Sequence, residues 1–111
     1  MSVYCWSKDV ILVDLPGELE KHNELQRVIG MLRDGDNCDV VIDFSRVDVV
    51  GGVCLAKLLE IQRLVNERGH KLTLCGAAPA IKGILTVARL DDVFDLAEDR
   101  FTALASPQLV G

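Results

Sequence analysis

Apolar and polar residues follow two different periods along this chain, and the changes of period divide it into strands and helices. Val3 to Ser7 and Val10 to Leu15 are short β-prone segments separated by the turn-like pair Lys8-Asp9, which predicts an N-terminal hairpin. Pro16-Gly17 stops the second segment. From Glu18 to about Arg33, Leu25, Val28, Ile29 and Leu32 fall at i, i+3, i+4 and i+7, the single apolar stripe of an amphipathic helix, and Asp34-Gly35-Asp36-Asn37 ends it. Asp39 to Asp43 breaks that rhythm with a continuous apolar run, Val40-Val41-Ile42, of the kind that is covered on both faces. It predicts the middle strand of the sheet.

A Val-rich link then leads into Gly51-Gly52-Val53-Cys54 and a helix over Val53 to Arg68, closed by Gly69. Leu55, Leu58, Ile61 and Val65 take one side of it, and Lys57, Glu60, Arg63 and Glu67 the other. Lys71 to Cys75 is the next strand, closed by Gly76. Pro79 sits in the first turn of a further helix, where a missing N–H costs nothing, and Ile81, Ile84, Leu85 and Ala88 form its buried side. Val93 to Ala97 predicts a last strand, and Asp99 to Ala105 a final helical turn or two before a tail from Ser106. The order is β-β-α-β-α-β-α-β-α. Strands joined through single helices pair in parallel with right-handed crossovers, so the fold class is α/β, a mixed sheet with helices packed on it.

Composition narrows the function more than the fold. The 111 residues suit one domain spanning 1–111, able to bury roughly two thirds of the surface its unfolded chain exposes. The net charge of −5, with no cluster of Lys and Arg, argues against nucleic acid. Cys5, Cys38, Cys54 and Cys75 show neither C-x-x-C spacing nor a paired His motif, so no metal and no redox dithiol is indicated and buried reduced thiols are expected. No run of about 18 apolar residues and no signal-type N-terminus occurs, which excludes membrane insertion and places the expected protein in the cytoplasm.

Three stretches carry a resemblance to a known family. Gly17-Glu18-Leu19-Glu20 resembles the "GELD" start of the first helix of STAS domains, and Val41-Ile42-Asp43-Phe44-Ser45-Arg46-Val47 resembles their strand followed by "DLS-x-V". Pro79-Ala80-Ile81-Lys82 with Leu85, Leu90, Val93 and Phe94 resembles their third helix and last strand. The likeness covers nearly the whole chain and implies a STAS-like fold. It also implies a non-catalytic role, binding a protein partner of the kinase or anti-sigma type, as anti-sigma factor antagonists do. Where the family reads Asp-Ser-Ser-Gly-Leu, this chain reads Gly51-Gly52-Val53-Cys54-Leu55. Val53 stands at the position of the phosphorylated serine and has no hydroxyl. The resemblance therefore implies a partner-binding surface of Val49, Val50, Gly51, Gly52, Val53 and Cys54, with Lys57 and Glu60 on the helix, and no phosphorylation switch there. A scaffold or a subunit bound to an ABC-type transporter ATPase is the alternative that the family offers. Glu20 and Arg89 depart from the family as well, the first where Asp would cap better and the second where Gly is frequent.

Read from the residues alone, Gly51-Gly52 ahead of a helix is either an anion site, for a nucleotide or lipid headgroup, or a tight turn packed close to a neighbour. Cys54 in the first turn of a helix is the one candidate nucleophile, but it lacks a base. His70 lies at the far end of the same helix, roughly 24 Å away at about 1.5 Å per residue, and His22 near the start of the first helix. Asp14, Glu18, Asp91 and Asp92 could bind a cation but suit capping and solvation better. Ser45 and Thr86 are alternative phosphorylation sites, Ser45 better suited to holding the turn after the central strand. No cofactor is expected, and the oligomeric state, a homodimer included, stays open.

Overall fold

The computed structural model describes residues 3–7, 9–15, 21–35, 37–48 and 50–104, with the side chains of residues 5–7, 21 and 22 left out of that description. Five strands form one sheet whose spatial order is their order in the sequence: β1 (Val3–Ser7), β2 (Val10–Asp14), β3 (Asp39–Asp43), β4 (Leu72–Cys75) and β5 (Asp95–Ala97). The first pair is antiparallel, the predicted hairpin, and β2 through β5 run parallel. Helices α1 (Lys21–Arg33), α2 (Gly52–Asn66) and α3 (Pro79–Val87) make the three crossovers, and residues 100–104 form a closing helical turn. The predicted start of α1 at Glu18, the "GELD"-like segment and Val49 lie outside the described residues. No helix among the described residues is long and apolar enough to cross a membrane.

Register sorts the residues between two faces. Val13, Ile42, Leu74 and Leu96 are consecutive partners across β2 to β5, and their row points to the layer of α1, α2 and α3. Shifting by one residue turns the side chain over, so Leu12, Val41, Thr73 and Asp95 form a row on the opposite face. There Val10, Leu12, Val41 and Cys75 pack against Ala103 and Leu104 of the closing turn. β3 is thus central and apolar throughout because both faces of it are covered: Val40, Val41 and Ile42 are completely buried.

Two sequence expectations change in detail. Leu64 joins Leu58, Ile61 and Val65 in the core, whereas Leu55 is only half buried, so the apolar stripe of α2 runs one position round from the expected one. The last strand begins at Asp95 rather than Val93, because the amides of Val93 and Phe94 both donate to the Leu90 carbonyl and hold those residues in a turn.

The C-terminus of α3 is built for a residue that it lacks. The Arg89 amide donates to Thr86 O and the Leu90 amide reaches back to Leu85 O at 2.8 Å, closing the helix with Arg89 at φ 60°. Left-handed backbone costs a residue with a Cβ about 1–2 kcal/mol, while glycine adopts it freely at some cost in unfolded-state entropy. Arg89→Gly is expected to stabilise the chain by about 0.5–1 kcal/mol, a rise of a few degrees in melting temperature checked by thermal denaturation.

Candidate partner-binding site

The C-terminal ends of the parallel strands carry the turns that lead into the helices, and both sets of polar side chains that stand out lie at or near this edge. The first surrounds the corner before α2. Gly51 is the N-cap residue, with φ −105° and ψ −177°, and its carbonyl accepts the Leu55 amide at 3.0 Å. No side chain caps the helix, and its first turn contains no acidic residue, so the positive end of the helix dipole is bare. A tight, closely packed glycine turn was one of the two expectations, and the structure overturns it. Neither glycine has a positive φ, and a Cβ built on either meets nothing within 4 Å. The fold does not require glycine at 51 or 52.

Of the residues expected on the partner surface, Gly51, Gly52 and Val53 are exposed, Val53 to 61%. Val50 and Cys54 are corrections: both are buried and support the corner from beneath rather than facing a partner. Lys57 and Glu60 lie half-buried at a seam against α1. Lys57 Nζ donates to Gln26 Oε1 at 2.7 Å, and Arg33 donates to Glu60 Oε2 at 2.5 Å. Arg63 then joins Glu60 and Glu67, and Arg68 Nη1 donates to the Leu32 carbonyl at the end of α1. A groove of about 370 Å³ runs between the two helices, with Ile29, Val53 and Ala56 as its apolar lining and Gln26, Lys57 and Glu60 on its polar side.

The second set follows from register. Asp14 at the end of β2 is the direct partner of Asp43 at the end of β3, which is in turn the partner of Cys75. Two carboxylates side by side on neighbouring strands repel, and Arg100 from the closing turn bridges them. Its Nε and one Nη donate to Asp43 Oδ2, each at 2.8 Å, and that Nη lies 3.6 Å from Asp14 Oδ2. The other Asp43 oxygen accepts the Ser45 amide at 2.8 Å and the Ser45 hydroxyl at 2.5 Å. Burial pushes the Asp43 carboxyl up, but the Ser45 hydroxyl and amide, then Arg100, outweigh it and hold the group below its ordinary range. Burial, followed by the charge of Asp43, pushes the Cys75 thiol up to about 12. Gly76 seals this packing: at φ 68° a Cβ there would come 3.0 Å from Asp43 Oδ1 and 3.2 Å from Ser45 Cβ.

The remaining candidates are dispersed. Cys54 is completely buried, which removes it as an accessible nucleophile. His70 Nδ1 lies 3.0 Å from Asp39 Oδ1, where it joins the turn after α2 to the start of β3. Thr86 Oγ1 donates back to Lys82 O, Asp91 and Asp92 are exposed, and Glu18 lies outside the described residues. Among the described residues no group of three His, Cys, Asp or Glu side chains could hold a metal ion. Sequence reasoning missed Arg100 and the α1 residues Gln26 and Arg33. One signal for Arg100 was present, since it is the only cation after Arg89, but its partners lie 57 residues away or more in the chain for Asp43 and Asp14 alike.

Comparison with known proteins agrees with this architecture. The family described as "Mlab, STAS domain" matches residues 4–98. No match is found among curated proteins. Among solved structures, an anti-sigma-factor antagonist (STAS) domain protein from Planctomyces limnophilus superposes with a TM-score of 0.80 at 19% identity, covering 94% of each chain. The Bacillus anti-sigma factor antagonist SpoIIAA in its unphosphorylated form gives 0.77 at 11% identity, covering 96% of each. A sulfate transporter family protein from Wolinella succinogenes gives 0.72 at 20% identity, covering 91% of this chain and 84% of that one.

Two outcomes are expected from this edge. Asp43→Asn removes the charge that Arg100 and Ser45 are arranged around and should cost about 2 kcal/mol, discounting a fully buried pair because Arg100 is partly exposed. Because the folded carboxyl titrates below its unfolded value, its contribution is present in full above that value and disappears as pH falls through the folded one. The gap between wild type and Asp43→Asn in denaturant titrations should therefore narrow below about pH 4. Cys54 and Cys75 should resist alkylation in the native state, both being buried and the Cys75 thiol held protonated, and react once the chain is unfolded, as peptide mapping by mass spectrometry would show.

Proposed function

The chain belongs to the STAS domain family, and from that premise we propose that it is a regulatory module that binds another protein through the 51–53 corner and the α1–α2 groove, without catalysis. The partner is of the kinase or anti-sigma type, and the domain acts as an antagonist whose affinity is not set by phosphorylation at the corner. The observation that carries this reading is the corner itself. Its two glycines serve no packing or conformational need, its helix end is uncapped, and an exposed valine occupies the position of the family's serine. Such a surface offers bare amides and a small apolar contact to a partner, and it carries no group that a kinase could modify.

A second reading has its own support. The likeness to the sulfate transporter family protein fits a scaffold or transporter-associated subunit, with the same corner as the contact. In both readings the corner works by contact rather than by chemistry.

Gly52→Asp separates surface from fold, because a side chain there enters open space. The variant should keep the wild-type melting temperature within about 3 °C, since surface changes of this kind stay within about 0.5 kcal/mol. Affinity capture with the full chain is expected to recover a kinase-like anti-sigma factor, and Gly52→Asp to lose it. Capture of a transporter ATPase would move the assignment to the second reading, and equal capture by wild type and variant would overturn the corner as the contact surface.

A further inference from the structure

The two faces of the sheet are covered very differently. Helices α1, α2 and α3 lie on one face, whereas among the described residues the apolar cluster on the other receives only Ala103 and Leu104 from outside the sheet. Residues 100–104 are helical there, and a helix shorter than about 12–15 residues is marginal on its own. Asp99 caps it: the Thr102 amide donates to Asp99 Oδ1 at 2.8 Å and the Ala103 amide to Asp99 O at 3.1 Å. The segment keeps its place through what it touches on the sheet.

That attachment has two parts. At the C-terminal edge Arg100 holds Asp43 through Nε and one Nη, each at 2.8 Å, and over the strands Ala103 and Leu104 are buried on Val10, Leu12, Val41 and Cys75. The rest of the segment adds little. Phe101 is 79% exposed and Thr102 is exposed as well. A cavity of about 250 Å³ lies between Thr102 and Ala103 on one side and Thr73 and Asp95 of the last two strands on the other, so this flank of the segment is not packed down. Parts of a structure with few buried apolar contacts open at a lower free energy than the core around them.

We propose that residues 99–104 are a strap latched by Arg100, which opens as a unit while the sheet and its three helices stay folded. Opening uncovers Val10, Leu12 and Val41 together, an apolar face that the closed form hides, so the state of the latch decides whether the chain presents it. Cys75 lies on the same face beneath the strap and reports the opening, whereas Cys54 belongs to the core on the helix-covered face and becomes accessible only when that core comes apart. The strap is on the far side of the sheet from the α1–α2 groove, and its failure as a latch would leave the partner reading intact.

The test is slow labelling of the native full chain with iodoacetamide, followed over hours by peptide mapping, each thiol's rate being divided by its rate in the urea-unfolded chain. Global unfolding exposes both thiols equally and gives a ratio of Cys75 to Cys54 labelling near one, however unstable a variant is. Opening of the strap should raise that ratio to about ten or more in wild type, and Arg100→Gln and Leu104→Ala, which remove the ionic and the apolar anchor, should each raise it further by about tenfold. Wild type alone supplies a second readout: below the unfolding transition, Cys54 labelling should rise with urea in step with global stability, while Cys75 labelling stays nearly flat because a local opening exposes little surface. Equal normalised rates with the same urea dependence at both thiols, or a ratio that neither Arg100→Gln nor Leu104→Ala changes, would overturn the proposal.

Discussion

One carboxylate ties the C-terminal edge of this sheet together. Asp43 ends the central strand, and its backbone carbonyl receives the Leu15 amide while its side chain receives Ser45 and Arg100. The turn after β3, the end of β2 and the closing helical turn thus meet on one residue. The constraint is electrostatic before it is geometric. Parallel register puts Asp14 beside Asp43, and the arrangement is tenable only because a guanidinium reaches both. Arg100 suits that task better than a lysine would, since a planar fork can satisfy two acceptors with donors held in fixed directions. Covering the second face of the sheet follows from this: the cation that neutralises the edge brings Ala103 and Leu104 over Val10, Leu12, Val41 and Cys75.

The fold was legible in the sequence because each element announces itself locally. The continuous run Val40-Val41-Ile42 marks a strand covered on both sides, the i, i+3, i+4, i+7 spacing of Leu25, Val28, Ile29 and Leu32 marks a helix facing a core, and single helices between strands leave little choice of topology. The site was legible only in part. The corner was located by its glycines and by its resemblance to the family, yet one of the two readings of those glycines, a tight packed turn, is removed by the open space around them. A helix read alone has no neighbour, so nothing in α2 itself showed what Lys57 and Glu60 meet. Their partners Gln26 and Arg33 are on another helix, and no period within α2 points to them. The Asp14–Asp43–Arg100 cluster was invisible for the same reason. It exists through register and through a contact that spans most of the chain.

The seam between α1 and α2 has a consequence for the corner. Ion pairs with this much solvent contribute little stability each, but Arg33, Glu60, Arg63 and Glu67 form a connected series, and Arg68 bonds the carbonyl end of α1. They fix how the two helices sit against each other more than they hold the chain together. A groove whose walls are set in this way presents Val53, Ala56 and Ile29 in one arrangement, so a partner docking there would meet a formed surface rather than one it must order, which would remove part of the entropic cost of binding.

The geometry of the sheet edge weighs against a phosphorylation switch at Ser45. Ser45 is exposed enough to be reached, but its oxygen already donates to Asp43 Oδ1. A phosphate there would lose that donor and place nearly two negative charges against the row of Asp14 and Asp43, whose repulsion one arginine already balances. Arg100 could turn to the phosphate only by releasing two carboxylates, one of them buried. Modification of Ser45 would therefore loosen the edge of the sheet, a change in stability, whereas a phosphate at an exposed helix N-terminus changes affinity and leaves the core intact. Val53 offers no hydroxyl to modify, so the position near this corner where charge could act without disturbing the fold is the bare 51–52 backbone, which could gain charge only from a bound group.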